Sequence, residues 1–541
     1  MSLPTPPGAE TGGFPFVWLD PSDAELTWEL DDMHMPFALA PLAGDYSMAI
    51  GAGWASSYSR FSLPLTVRTA TWNGYTYFAL RYDVPDSERE AVDARLTELA
   101  RDHARIARRY WDDEARPELD AIYTRLVDLT TGTRALATSA DAWSEAWALI
   151  ERAWRIHFYA ITGPYQALDD LADLYGSVVA DASPGEGFRL LGGSIDVLHR
   201  VEAGLQQLTM LARAEPGLAA HVAAPPTPAI DDLAALPGYG PFRAAWEAML
   251  AEHGHLGQGF DDLALASWAE EPRQLMAELA IRVRSSVTAP IGRSRGLAGD
   301  ADALAAQVRE RLADRAEDLA RFEELLALAR EVGPLTEAHN YWIDRKVQAL
   351  LRRFVLQVGA LLVEAGVLAE AADVLYLYRD ELPALLLAPT DRRDLVVRRR
   401  ADHDAWRAMR APRQLGKVAA VSPNRFEGAR LAPDAEDQLR GTGASAGVVR
   451  GPARVTLSPS DFGRIQPGDI IVCPSSNPSW VPVFTIAGGL VTNTGGVLSH
   501  AAVVAREFGL PAVVGVADAT TRIADGRTLE IDGTLGTVHL L

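Results

Sequence analysis

From about Ser87 onward the apolar residues recur every three or four positions, the period of an amphipathic helix. The pattern predicts helices over Ala91–Tyr110, Ala142–Ile161 and Ser194–Leu211. A long helix carries Leu304, Val308, Leu312, Leu319, Phe322 and Leu326. Another runs from Leu335 to Glu364 and is ended by Gly366, with Ile343, Val347, Leu350, Phe354, Val358 and Leu361 as its buried stripe. Its opposite face carries Glu337, Tyr341, Asp344, Arg345 and Gln348 and reads as solvated. Before Ser87 the pattern differs. Aromatics, Gly and Pro are dense, Asp20–Trp28 reads as a turn into a short helix, and Tyr75–Val84 reads as a strand.

After about residue 439 the pattern changes again, to short strands alternating with turns and helices. Expected strands are Gly447–Val455, Asp469–Cys473, Gly489–Thr492, Ala512–Val516, Thr528–Asp532 and Thr537–Leu540. The fold class is therefore multidomain α+β: a largely helical region followed by a C-terminal α/β domain. Residues 1–13 are expected to be a disordered leader, 14–420 the mostly helical region, 421–438 a linker, and 439–541 the C-terminal domain.

Composition narrows the function. A net charge of −21 with no basic tract argues against a nucleic-acid partner. Cys473 is the only cysteine, which excludes an internal disulfide and any Cys-rich zinc site, and no metal-ligand spacing appears elsewhere. No apolar run reaches membrane-spanning length and no signal peptide is evident, so a cytoplasmic location is expected. Lysine occurs only at Lys346 and Lys417, neither in a Gly-rich loop, so there is no P-loop.

The chemistry concentrates between Leu490 and Val516. A strand ending at Thr492 is followed by Gly495 and Gly496, then Ser499 as an N-cap, then His500 opening a helix to Phe508. Gly509 and Pro511 end that helix. An imidazole on a first helical turn, beside a double glycine, sits where free amides and the helix dipole favour an anion. The same positive end disfavours imidazolium, so a neutral, nucleophilic His500 is expected. The residues alone support two readings: phosphoryl transfer, or a capping His in an ordinary α/β domain.

Thr492, Gly495, Gly496, Ser499, His500, Ala501, Ala502, Ala505, Arg506, Glu507, Gly509, Pro511 and Gly515 resemble the signature of the swivelling phosphohistidine domain of the PEP-utilising enzymes. That family includes phosphoenolpyruvate synthase, pyruvate phosphate dikinase, phenylphosphate synthase and rifampin phosphotransferase. The likeness extends through Gly441–Arg450, Gly468–Val472 and Asn477–Pro482. The run Trp28–Leu42 is more loosely similar to the opening of the substrate domain of the rifampin phosphotransferase type. The resemblance implies that His500 becomes phosphorylated within a phosphate-binding cradle of Thr492, Gly495, Gly496 and Ser499. It implies an acceptor domain before the carrier, and a separate ATP-grasp-like subunit holding ATP and Mg²⁺, because no ATP-binding module is read in this chain. The acceptor would be a small alcohol or phenol, and phosphate elimination could follow transfer. A non-catalytic binding or regulatory protein, or a phosphoenolpyruvate-fed phosphocarrier, are the alternatives.

Outside the carrier, His253-Gly254-His255-Leu256-Gly257 precedes Asp261 and Asp262. Related substrate domains carry Gly-His-Arg-Gly here, so Leu256 replaces an expected Arg. The run reads either as a structural turn or as a site where His255, with Asp261 or Asp262, deprotonates the acceptor. Likeness around Asp344-Arg345 suggests Arg345 as a clamp on the incoming phosphoryl group. Trp147, Trp154 and Phe158, with Tyr341, read either as core or as the lining of a cavity for a hydrophobic substrate. No constellation is legible around His34, His103 or His157.

Overall fold

The computed structural model describes residues 14–132, 135–180, 182–183, 185–193, 196–257, 261–284, 291–417, 437–457, 459–476 and 480–541. The expected leader, 1–13, and most of the expected linker, 421–438, lie outside the described residues. The chain divides into two compact units. The first comprises Met1–Gly163, Phe260–Leu265 and Trp342–Pro423; the second comprises Pro164–Gly259, Ala266–Tyr341 and Asn424–Leu541. The helical region 14–420 thus contributes to both.

The first unit contains an antiparallel sheet in the order Leu65–Trp72, Tyr75–Tyr82, Thr27–Leu30, Gln414–Gly416. Asn73 and Gly74, at φ 50° and 75°, close the hairpin between the first two strands, the left-handed pair that matches strand twist. Trp28, Trp72, Tyr75 and Tyr77 pack on the sheet with Phe14 and Phe16. The short helix expected after Asp20 is one 3₁₀ turn, Pro21–Glu25, and the strand Thr27–Leu30 follows at once. Trp28 is fully buried there, and the β-branched and aromatic pair Thr27-Trp28 favours a strand.

Three helix expectations are corrected. The helix around Ala142–Ile161 is the middle of a longer one, Leu136–Val178, which continues past Pro164. The helix spanning Leu304 to Leu326 is two, Ile291–Arg311 and Ala316–Val332. Glu317 and Asp318 suit a new N-terminus, and Arg315 bonds Asp318 across the break at 2.7 Å. The 335–364 helix exists as Leu335–His339, a π-helical turn Asn340–Arg345, and Lys346–Glu364. Its polar face is not solvated: Glu337, Tyr341, Asp344, Arg345 and Gln348 are all buried. Gln348 Nε2 donates to the Asp262 carbonyl at 2.9 Å and Glu337 Oε2 lies 2.6 Å from His500 Nδ1.

The second unit holds an eight-stranded sheet. Its order is Gln438–Arg440, Thr537–Leu540, Thr528–Asp532, Val448–Val455, Ile470–Cys473, Gly489–Thr492, Ala512–Val514, Thr442–Ser445. The four strands from Val448–Val455 to Ala512–Val514 run parallel and the remaining pairings are antiparallel. The strands heading and closing this order are separated in sequence by Gly441 alone. The sheet therefore curls until its two ends meet. Gly441 N donates to Gly536 O at 2.9 Å, and a Cβ at 441 would lie 2.5 Å from Val514 O. Apolar residues of the sheet, with Val516, Ala519 and Ile523, fill the core. Among the described residues no helix is long and apolar enough to cross a membrane.

Candidate active site

His500 opens the helix His500–Phe508, as the sequence predicts. Ser499 is the N-cap: its Oγ accepts from Ala502 N at 3.4 Å and donates to Gly496 O at 2.8 Å. Gly509 ends the helix at φ 59°. Gly495 takes φ 102°, and a Cβ there would come within 2.8 Å of Ser499 Oγ, so only glycine fits. Thr492 Oγ1 donates to Thr494 O at 2.7 Å, which ties the strand end to the loop. Thr492, Gly495, Gly496 and Ser499 thus form one local framework beneath the imidazole.

His500 is half-buried, and its Nδ1 lies 2.6 Å from Glu337 Oε2. A carboxylate accepts, so Nδ1 carries the proton and Nε2 holds the lone pair. Nε2 is buried without a hydrogen-bond partner. The arrangement is an imidazole oriented by a carboxylate with its reactive nitrogen bare, beside a helix N-terminus. At the helix's other end Glu507 accepts from Gly193 N at 3.1 Å, with His199 Nε2 3.5 Å away. Arg506 donates to Ala444 O at 3.1 Å and covers the Phe188 ring; burial pushes it down to about 10. A cleft of about 360 Å³ lies here, lined by Thr336, Gly443, Ser445, Arg506, Glu507 and Gly533 among others.

The remaining predicted residues divide between the units. In the second unit the His255 ring packs edge-on against Tyr341, centroids 4.5 Å apart. Tyr341 Oη donates to Glu252 O at 3.0 Å and lies 2.7 Å from His253 Nδ1. Asp261 and Asp262 belong to the first unit, so structure assigns them and His255 to different bodies. Asp261 forms a buried ion pair with Arg345. Burial raises the Asp261 carboxyl while the Arg345 guanidinium opposes the rise. Asp262 Oδ1 accepts from Ala264 N at 2.8 Å, a local turn, and burial raises its carboxyl too. Trp147 and Trp154 are fully buried, with the Arg379 guanidinium 4.7 Å from the Trp147 ring centre. Phe158 is half-buried and stacks on Trp54, centroids 5.6 Å apart.

Residues 465–536 match the family described as the PEP-utilising enzyme mobile domain. The chain carries the mobile domain of the PEP-utilising enzymes. Residues 168–337 match the rifampicin phosphotransferase fourth domain. The whole chain aligns with part of chondramide synthase cmdD from Chondromyces crocatus, 29% identical over 582 residues, covering 14% of that protein. A rifampicin phosphotransferase from Streptomyces sp is 35% identical over 325 residues, 58% of this chain and 36% of its own length. The uncharacterized phosphotransferase YvkC of Bacillus subtilis is 34% identical over 212 residues, 38% of this chain and 26% of its own. The chain spans from about a seventh to about a third of the length of these relatives.

His500 lies within the mobile-domain match, and Glu337 is the last residue of the fourth-domain match. Sequence reasoning put Glu337 on a polar helix face and gave it no role. It also missed His34 and His157. His34 Nδ1 is 2.9 Å from Asp31 Oδ1, and His157 Nε2 is 3.1 Å from Asp344 Oδ1. The i,i+3 spacing of Asp31 and His34 is a local signal that could have found the first pair. The second pair has no local signal.

Proposed function

We propose that the chain is a phosphotransferase component that carries a phosphoryl group on His500 and hands it to a hydroxyl of a small, hydrophobic organic compound. The observation that carries this is the His500 imidazole with Nδ1 held by Glu337 and Nε2 bare. In the loading step Nε2 attacks phosphorus, a P–N bond forms, and the donor's P–O bond breaks. In the discharge step that P–N bond breaks, a P–O bond to the acceptor forms, and the acceptor's hydroxyl proton passes to a base. His255, in the second unit, is the proposed base; Asp261 and Arg345 pair with each other in the first unit and are given no part in that step. Phosphate is a better leaving group than hydroxide, so the C–O bond of the ester can break and elimination of phosphate can follow.

The donor is an ATP-binding, ATP-grasp-like subunit acting in dikinase fashion. ATP and Mg²⁺ belong to that partner, and no residue of this chain is assigned to them. The acceptor region within 14–420 and the carrier 439–541, joined by a linker over 421–438, would work in the cytoplasm. The names of the rifampicin phosphotransferases support transfer to a small-molecule hydroxyl.

The test follows labelled phosphate from ATP, through the partner, onto this chain. The label should be acid-labile and base-stable, and His500→Ala should carry none. The His255→Ala variant should load normally and discharge roughly a hundredfold more slowly, the usual worth of a general base. Label retained by His500→Ala overturns the carrier reading; discharge at the wild-type rate removes His255 from the base role.

A further inference from the structure

The helix His500–Phe508 meets a buried carboxylate at each end, Glu337 at its start and its own Glu507 near its close. Gly193 N donates to both oxygens of Glu507, at 3.2 and 3.1 Å, and His199 Nε2 stands 3.5 Å from the second. A carboxylate that accepts from a backbone N–H makes a charge-assisted bond, stronger than a neutral one. Next to it the Arg506 guanidinium lies 5.1 Å from the centre of the Phe188 ring, in the 3₁₀ turn Glu186–Leu191 that leads to Gly193.

The loop that receives Glu507 is tied to the element that carries Glu337. Arg330 Nε donates to Leu190 O at 3.1 Å. Arg330 belongs to the helix Ala316–Val332, and only Gly333 and Pro334 separate that helix from Leu335–His339, where Glu337 stands. Gly193, Leu190, Arg330 and Glu337 all fall in the stretch that matches the fourth domain. Both ends of the His500 helix therefore rest on one connected support.

Between the ends the packing is open. The cleft of about 360 Å³ is lined by Val503, Arg506 and Glu507 of the helix and by Leu168, Phe188 and Thr336 of the support. A gap forfeits the dispersion contacts that would otherwise fix the seat of the helix there. The polar contacts at its ends must fix it instead. A helix of nine residues is only about 13 Å long, so a tilt at one end is felt at the other. A displacement of about 1 Å at the imidazole takes a 2.6 Å hydrogen bond out of range.

We infer that Glu507 is a positioning residue for His500: its bond to Gly193 N seats the helix so that Nδ1 meets Glu337 and Nε2 is the nitrogen left to react. Its consequence for transfer rests on the reading of His500 as the phosphoryl carrier. Its effect on the imidazole is measurable without ATP, partner or acceptor. The full chain is labelled with ¹⁵N-histidine, and the ring nitrogens are observed at about pH 8.5, above the ordinary imidazole range. His500→Ala identifies the His500 signals, which in the wild type should show the proton on Nδ1. Glu507→Ala should shift His500 toward the tautomer protonated on Nε2. Glu507→Gln keeps an oxygen for Gly193 N–H and should stay close to wild type. Apart from His199, which faces Glu507, the other imidazole signals should stay in place, whereas a generally loosened fold would move them together. With the ATP-binding partner added, Glu507→Ala should slow label incorporation by up to roughly tenfold, the worth of the Glu337 contact it acts through. In the Glu337→Ala background it should add less than about twofold. A wild-type proton on Nε2, a His500 pattern unchanged by Glu507→Ala, a Gln variant as altered as the Ala variant, or an undiminished effect in the Glu337→Ala background each overturns the positioning role. A wild-type chain that takes no label sinks the carrier reading instead and leaves the tautomer result standing.

Discussion

A hydrogen bond to one ring nitrogen decides which other nitrogen can react, and Glu337 makes that choice for His500. A charged acceptor also steadies the imidazolium character that grows as phosphorus is attacked. Glu337→Gln keeps an acceptor oxygen but removes the charge. The difference between a charge-assisted and a neutral hydrogen bond is on the order of 1–2 kcal/mol. Loading of His500 by the partner should therefore slow roughly tenfold, read from the rate of label incorporation, with the fold unchanged by circular dichroism. A wild-type rate would reduce Glu337 to a structural contact. His500 itself was legible because its signals are consecutive: cap, imidazole and terminating glycine lie within eleven residues. Glu337 was not, because 163 positions separate it from His500 and nothing local to either marks the pair.

At the scale of elements, the strand–loop–helix unit under His500 depends on Gly495 more than on its other glycines. Gly509 also has positive φ, 59°, but a Cβ there meets nothing within 4 Å. Gly509→Ala should cost about 1–2 kcal/mol, the left-handed penalty alone. Gly495→Ala adds contact with Ser499 Oγ at 2.8 Å and must displace the N-cap. It should lower the calorimetric unfolding midpoint further than Gly509→Ala and impair loading, which Gly509→Ala should not. Equal effects would mean the cap moves freely. Elements were readable where pattern and chemistry agree, as in Gly489–Thr492, His500–Phe508 and Thr528–Asp532. They were missed where the period has too little to show: Gln438–Arg440 is three residues with one apolar side chain, and Thr442–Ser445 is a run of Thr, Gly, Ala and Ser. The π-helical turn at Asn340–Arg345 has no composition of its own, and the buried partners that consume its polar face come from distant segments.

For the whole molecule, acid sensitivity offers a test of the first unit's core. His103 is buried among Phe61, Tyr110 and Tyr159, and burial, aided by Arg60, lowers it from 6.5 to about 4. Between those values the unfolded chain binds the proton and the folded chain does not. Its contribution is therefore complete above about pH 6.5 and is lost as pH falls toward about 4. The loss is on the order of 3 kcal/mol. Half-buried carboxyls such as Asp32, raised to about 6, act with the opposite sign, so the raw pH profile mixes both. The informative quantity is the difference between wild type and His103→Phe. That difference in denaturant midpoint should shrink or reverse between pH 6.5 and pH 4, and a pH-independent difference would place the proton on His103 in the folded state.

The curled sheet of the second unit imposes an order in time. Its two meeting ends are neighbours across Gly441, yet each pairs with strands made much later, Thr537–Leu540 for one and Ala512–Val514 for the other. During synthesis the residues flanking Gly441 leave the ribosome about seventy to a hundred residues ahead of the partners that will hold them. The strand carrying His500's loop emerges in between. Until the last strand is translated, that loop has no closed sheet beneath it, and a nascent chain presents an imidazole without its framework. On the proposed carrier role, competence to receive phosphate thus arrives at once, when the last strand of this sheet has emerged, rather than growing as the chain lengthens.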